Sequence, residues 1–208
     1  MARWEPDAAA RLERAALQLF VERGYQNVTV VEIAEQAGLT KATFFRHYAD
    51  KRAVLFGGEE MLSSLLAEAV ADAPDGATPL AMVGAALCAV GTAFTDERRE
   101  LATLRAQAVA QDAGLQERMA YKRTVLAEAI ERALRARGTA EPVALVAAQL
   151  GVLAFQAGYL RWAVTPDQGY GPLAVDALAE LAAATESLGV AQSTSTAEPV
   201  TLRRQSNT

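Results

Sequence analysis

The sequence predicts an all-α protein, with a small helical unit at the N-terminus and a larger helical unit after it. Three observations carry that prediction. The chain is rich in alanine and holds only 6% aromatic residues, a mixture suited to closely packed helices because alanine joins the highest helix propensity to little bulk. Apolar residues recur at three- and four-residue intervals along most of its length, the spacing of a helical face. Glycine and proline punctuate those runs, and no alternating run of useful length suggests a strand.

Taken in order, Leu12, Ala15, Ala16, Leu19 and Phe20 share a face between Asp7 and Arg23, and Gly24 ends that first helix as a C-terminal cap. Thr29 opens a short second helix. Glu32, three residues later, completes a Thr-x-x-Glu capping box, and Gly38 breaks the helix where a left-handed residue costs least. Thr40 is placed to cap a third helix through Tyr48. Asp50 is placed to cap a fourth, expected to continue through Met61, Leu62, Leu65 and Leu66 toward Val70. After a loop at 71–79, helical patterns occupy about 79–95, 97–111, 114–136, 141–164 and 172–188. The expected domains are 1–53 and 54–190, joined by the helix that starts near 51. Residues 191–208, rich in Ser, Thr and Gln, are expected to form a disordered tail.

Composition removes several classes of function. Of 208 residues, Cys88 is the single cysteine and His47 the single histidine, so an internal disulfide or thiolate metal cluster is excluded. No Gly-rich phosphate loop, metal-ligand spacing or nucleophile motif is present, and neither an enzyme nor a cofactor is expected. No signal-like stretch precedes Asp7, and no uninterrupted apolar run approaches the roughly 20 residues of a bilayer span. The expectation is a reducing, cytoplasmic setting without a membrane partner.

The net charge of −5 is unevenly placed. Residues 1–56 carry 8 Lys/Arg against 7 Asp/Glu, which leaves −6 for the remainder. Lys41, Arg46, Lys51 and Arg52 lie near one carboxylate, Asp50. Such a patch suits phosphate binding on one small surface, and it equally suits a solvated basic turn.

A helix, a glycine-containing turn and a second short helix form the unit that seats its second helix in a DNA major groove. On the third helix Phe44 and Tyr48 share a face, as i and i+4 residues do, and are the expected core anchors. Ala42 and Arg46 then point away, with Thr43 and Phe45 on the flanks. Arg46 can read guanine or hold phosphate, and Ala42 and Phe45 can touch thymine methyls. The first amides of this helix, with Thr40, form a phosphate seat, and Lys51 lies beside the amides of the next helix as a second. An ordinary helical corner would carry the same pattern.

The run Ala15-Ala16-Leu17-Gln18-Leu19-Phe20-Val21-Glu22-Arg23-Gly24-Tyr25, then Thr29-Val30-Val31-Glu32-Ile33-Ala34-Glu35-Gln36-Ala37-Gly38-Leu39-Thr40-Lys41-Ala42-Thr43-Phe44-Phe45-Arg46-His47-Tyr48 and Lys51, resembles the TetR family of regulators over about a quarter of the chain. The resemblance implies an N-terminal helix-turn-helix DNA-binding domain and a C-terminal helical domain that binds a small molecule and dimerises. It also implies phosphate or base contacts at Thr29, Thr40, Lys41, Ala42, Thr43, Phe45, His47 and Lys51. Phe45 stands where the family usually has a tyrosine whose hydroxyl meets a phosphate. An apolar sugar or methyl contact is expected there instead, with Arg46 compensating.

In the C-terminal half, Val143, Val146, Leu150, Leu153, Ala157, Leu160 and Val164 form one apolar stripe. Leu145, Ala148, Val152, Phe155, Tyr159 and Trp162 form a second on the opposite side. A helix apolar on both sides must be covered on both, by its own domain and by a second subunit. Leu153, Leu160, Leu173, Leu181 and Leu188 are the expected dimer contacts, and which stripe meets the partner stays open. Leu104, Arg105, Met119, Tyr121, Phe155, Gln156, Tyr159 and Trp162 are candidates to line a pocket for a largely apolar effector. The expected partners are therefore a double-stranded operator, an unidentified small molecule and a second copy. The rivals are a carrier of apolar molecules and a helical enzyme, neither with a DNA role.

Overall fold

The computed structural model describes residues 8–188; the tail expected at 191–208 lies outside them. The described residues form ten α-helices and three short 3-10 turns, with no strand. The helices are α1 (Ala8–Arg23), α2 (Val30–Gln36), α3 (Lys41–His47), α4 (Ala53–Phe56), α5 (Glu59–Ala71), α6 (Pro79–Val90), α7 (Arg99–Ala110), α8 (Ala113–Ala136), α9 (Glu141–Val164) and α10 (Tyr170–Ser187).

The fourth helix is not the continuous rod expected from Asp50 onward. Asp50 does cap it, its Oδ1 accepting from the Ala53 amide at 2.8 Å. Gly58 then adopts φ 80°, a left-handed conformation that a right-handed helix cannot pass through. α4 stops at Phe56, and α5 restarts with Glu59 and Glu60 in its first turn, where carboxylates complement the helix dipole.

Two cores form. The first gathers Leu12, Ala16, Phe20, Ile33, Phe44 and Val54 from α1–α4, and it continues into Leu101 and Ala108 of α7 and Leu115 of α8. The N-terminal unit is thus cemented to the larger one by apolar burial rather than hung from a linker. Polar links cross the same boundary: Arg14 to Glu100, Glu13 to Arg105, and Gln26 to Asp112 at 2.8 Å. The second core joins α5, α6, α8, α9 and α10 through residues such as Leu66, Leu87, Ile130, Ala148 and Leu178. The helix α9 lies against α10 so closely that a Cβ on Gly158 would sit 2.6 Å from the Ala174 Cα, so only glycine fits there.

α9 resolves the choice between its two stripes within a single chain. Ala148, Val152 and Trp162 are buried, and Phe155 and Tyr159 are half-buried against the same core. On the other side Val143, Val146, Leu153, Leu160 and Val164 stay open, from 49% exposed at Leu153 to 74% at Val164. The stripes are not perfectly divided: Leu150 is buried and Leu145 is exposed. Of the leucines expected at a dimer contact on α10, Leu173 is instead buried in its own chain and Leu181 is half-buried against the second core. Leu188, just past the end of α10, is 81% exposed.

Candidate nucleic-acid interface

The candidate surface is α3 and the two chain segments that hold it. α2 begins with the expected capping box: the Thr29 hydroxyl accepts from the Glu32 amide at 3.3 Å, and the Thr29 amide donates to the Glu32 carboxylate at 2.8 Å. These bonds from Thr29, with Arg23 nearby, hold the Glu32 carboxyl below its ordinary range. The turn after α2 closes through Gly38 at φ 65°, with the Leu39 amide donating to the Ala34 carbonyl at 2.8 Å. Arg11 of α1 reaches over this turn and donates to the Ala37 carbonyl at 2.5 Å.

Thr40 caps α3, its Oγ1 accepting from the Thr43 amide at 3.1 Å, and the two threonine hydroxyls lie 3.0 Å apart. Phe44 is fully buried. Its ring meets those of Phe45 and Tyr48, each at 5.6 Å between centroids. The Tyr48 hydroxyl donates to the Ala9 carbonyl at 3.2 Å, so α3 is pinned to the start of α1. With one side so anchored, Lys41, Ala42, Phe45, Arg46 and His47 are all exposed and Thr43 is half-exposed. Phe45 is 50% exposed, with the Lys41 ammonium 5.9 Å from its ring centre. Two cations, an imidazole, a methyl and an aromatic face therefore share one open surface, the chemistry that major-groove recognition uses.

Lys51 sits elsewhere than the sequence reading placed it. Its ammonium does not stand beside the α4 amides. It donates inward to the Tyr25 carbonyl at 2.7 Å and the Val28 carbonyl at 3.0 Å, over the Tyr25 ring at 4.3 Å. Burial holds it below the ordinary lysine range. Thr29 is exposed at the opening of α2, but its hydroxyl also donates to Glu32, at 2.8 Å. Both residues brace the helix-turn-helix in this conformation, a role that loop carbonyls and reciprocal caps decide and that residue type alone does not signal.

The eight candidate pocket residues divide. Leu104 and Met119 pack on the N-terminal core, whereas Phe155 and Tyr159 pack on the C-terminal one. Trp162 is buried beside Phe94 and Tyr159, with ring centres 5.3 and 6.0 Å away. Tyr121 is 60% exposed under the Arg118 guanidinium, out of any interior. Gln156, with its amide oxygen turned toward Arg123, accepts from that guanidinium at 2.8 Å. Arg105 remains at the centre, between Glu13 and Tyr159. Sequence reasoning passed over Glu13, Glu59, Arg118 and Lys122, which the fold gathers near it. Charged residues amid apolar runs on α8 were the available signal.

Comparison with known proteins agrees with this geometry. The family model for bacterial regulatory proteins of the tetR family matches residues 13–56, from within α1 to the end of α4. The HTH-type transcriptional regulator TcmR of Streptomyces glaucescens is 36% identical over 80 residues, 38% of this chain and 35% of TcmR. The chain therefore spans about a third of that relative's length. Among solved structures, a putative TetR-family regulator from Syntrophomonas wolfei superimposes with a TM-score of 0.57 at 16% identity, covering 88% of this chain and 96% of the other. A putative transcriptional regulator from Pseudomonas aeruginosa gives 0.55 at 19%, covering 89% and 94%. At those identities the likeness concerns the fold, and it extends through both domains. Residues 13–56 thus carry a helix-turn-helix of the kind found in bacterial regulatory proteins of the tetR family, set in a two-domain helical fold that these solved structures share.

Proposed function

We propose that the protein is a DNA-binding transcription regulator, a repressor that leaves a palindromic operator when a small effector with a largely apolar body occupies its C-terminal domain. The observation that carries the reading is the open face of α3. Lys41, Ala42, Phe45, Arg46 and His47 are exposed around a buried Phe44, where a purely structural corner would have no use for a half-exposed phenyl ring and two cations without a carboxylate partner among the described residues. Thr40 and Thr43 border the same face and add hydroxyls for phosphate. Thr29 and Lys51 keep a supporting place at its edge.

Two copies are needed to read a palindrome. The exposed stripe Val143, Val146, Leu153, Leu160 and Val164 supplies the surface for pairing, and Leu188, just past the end of α10, is exposed as well. A shallow groove of about 480 Å³, lined by Pro79, Leu80, Val143, Val146 and Leu150 among others, lies at one end of it. α9 is also long and apolar enough to cross a membrane. Its buried side belongs to the core, however, and a second copy accounts for the other without a bilayer. The carrier and enzyme readings leave the α3 surface unused.

The test is selection of bound duplexes from a random pool, followed by affinity measurements on the selected sequence. A near-palindrome should emerge. Arg46→Ala should then relax preference at particular base pairs, at about 1–3 kcal/mol per half-site. A uniform loss across sequences would move Arg46 to the phosphate backbone, and no selected sequence at all would end the regulator reading.

A further inference from the structure

Resting on the regulator reading, we propose that the effector carries an oxyanion head, a carboxylate or phosphate, and that this head binds between α1, α5, α7, α8 and α9 in competition with Glu13 for Arg105.

Three cations meet there from different helices: Arg105 on α7, and Arg118 and Lys122 one turn apart on α8. Two carboxylates answer them. Arg105 pairs with Glu13 of α1, and Arg118 Nη2 donates to Glu59 of α5 at 2.7 Å. The Lys122 ammonium is near Arg105, Arg118 and Glu59 but has no hydrogen bond or ion pair among the described residues. The group is one negative charge short of balance. Burial first, then the positive charge of Arg105, holds Lys122 below the ordinary lysine range, with Glu59 opposing.

The hydrogen bonding is incomplete in the same sense. Among the described residues five buried side-chain polar atoms lack a partner: Ser63 Oγ, Arg105 Nε, Arg118 Nη1, Tyr159 Oη and Trp162 Nε1. All five can donate, and all lie on α5, α7, α8 and α9. The Tyr159 hydroxyl lies within hydrogen-bonding reach of the Arg105 guanidinium, but not at an angle that satisfies Oη or Nε. Ser63 stands one turn after Glu59, on the same side of α5. Buried donors without acceptors are rare and costly in native proteins, and guanidinium forks match carboxylate and phosphate oxygens. An oxyanion among Arg105, Arg118 and Lys122 supplies the missing charge and an acceptor for the free guanidinium nitrogens. The Tyr159 ring, 5.8 Å from Phe94 and 6.0 Å from Trp162 between centroids, sets an aromatic wall beside the head group for an apolar body.

Glu13 makes the site a switch. It belongs to α1, the helix that pins α3 through Ala9 and Tyr48, so the Glu13–Arg105 pair ties the DNA-reading unit to the effector domain. An anion that takes Arg105 leaves Glu13 without its cation and beside a new negative charge, which drives α1 away. Linkage then requires bound DNA to weaken anion binding by the same factor.

The test uses the full chain and three probes of equal chain length: decanoate, decyl phosphate and uncharged decanol, titrated calorimetrically without DNA. At least one anion should bind and decanol should bind about tenfold more weakly or not at all, a factor worth about 1.4 kcal/mol. Which anion binds better tells a carboxylate from a phosphate head. Arg105→Gln should lose about tenfold or more of the anion affinity. Because that variant can also disturb packing, Glu13→Gln provides the opposite sign: removing the competitor should tighten anion binding, a gain that damage to the fold cannot produce. Decanol binding as well as the anions, no anion binding, or unchanged or weaker binding by Glu13→Gln would each overturn the proposal. A saturating anion should also weaken binding to the selected duplex about fivefold or more in the wild type, and less in Glu13→Gln; equal weakening would remove Glu13 from the switch. Anion binding in this pattern by a chain that selects no DNA would sink the regulator reading and leave the site standing. DNA binding without anion uptake would do the reverse.

Discussion

In α2 and α3 the polar groups at the helix starts find partners close by in sequence: Thr29 with Glu32, and Thr40 with Thr43. The helices α5, α7, α8 and α9 differ, holding five buried polar atoms with none. On the proposed function, the contrast separates two kinds of task. A surface that reads a rigid duplex benefits from being finished before it meets DNA, because preorganisation lowers the cost of binding. A domain that changes state on taking up a ligand benefits from groups that only the ligand completes, since a ligand shifts an equilibrium by its differential affinity for the two states.

The comparison can be broken most forcefully at α9. Leu153→Asp places a charge on the open stripe, at the face of the side chain that its own chain leaves uncovered. It should yield a folded monomer with an unchanged melting temperature, and its operator affinity should drop about 100- to 10,000-fold as the second half-site ceases to be an intramolecular event. Sedimentation of the variant and the wild type checks this. A dimeric variant, or a wild type that is monomeric while bound to operator, would mean that the stripe covers something else.

Lys51 sharpens the comparison at intermediate cost. Lys51→Met should destabilise the protein by about 1–3 kcal/mol, since carbonyls at Tyr25 and Val28 lose a charged donor, and chemical denaturation should register it. The salt dependence of operator binding should barely change. A fall of about one unit in that slope, with stability intact, would return the ammonium to a phosphate.

The smallest effect belongs to Glu32. Its carboxyl is held below the ordinary range in the folded protein by bonds from Thr29. The stabilisation is therefore fully present above the unfolded carboxylate pKa and is lost as pH falls through the folded value. Acid unfolding of Glu32→Gln should be flatter than that of the wild type across this window. Identical acid limbs would show that the capping box adds nothing measurable.

Much of the DNA-reading region was legible because its determinants are local. Thr-x-x-Glu, Thr40 before α3, and the i, i+4 pair Phe44 and Tyr48 each act within a turn or two, so the outward set Ala42, Phe45 and Arg46 followed from helix geometry alone. The misreadings there came from residues whose partners are distant in sequence. Lys51 reaches back to carbonyls 23 and 26 residues earlier, and the break at Gly58 hid inside an otherwise continuous apolar pattern. Leu173 was read as an interface residue because α10 shows a face without showing what covers it.

By itself the sequence determined the all-α class, the helix order apart from the break between α4 and α5, the limits of α9 and the orientation of α3 on its anchors, because propensity, capping and periodicity act over a few residues. Only the tertiary structure decided which side of α9 turns outward, because a helix apolar all round has no preferred direction until neighbours bury one side of it. The same holds for the charged cluster. Glu13 and Arg105 lie 92 residues apart and Glu59 and Arg118 lie 59 apart, and no short-range pattern marks a cation as the partner of a carboxylate that only packing brings to it.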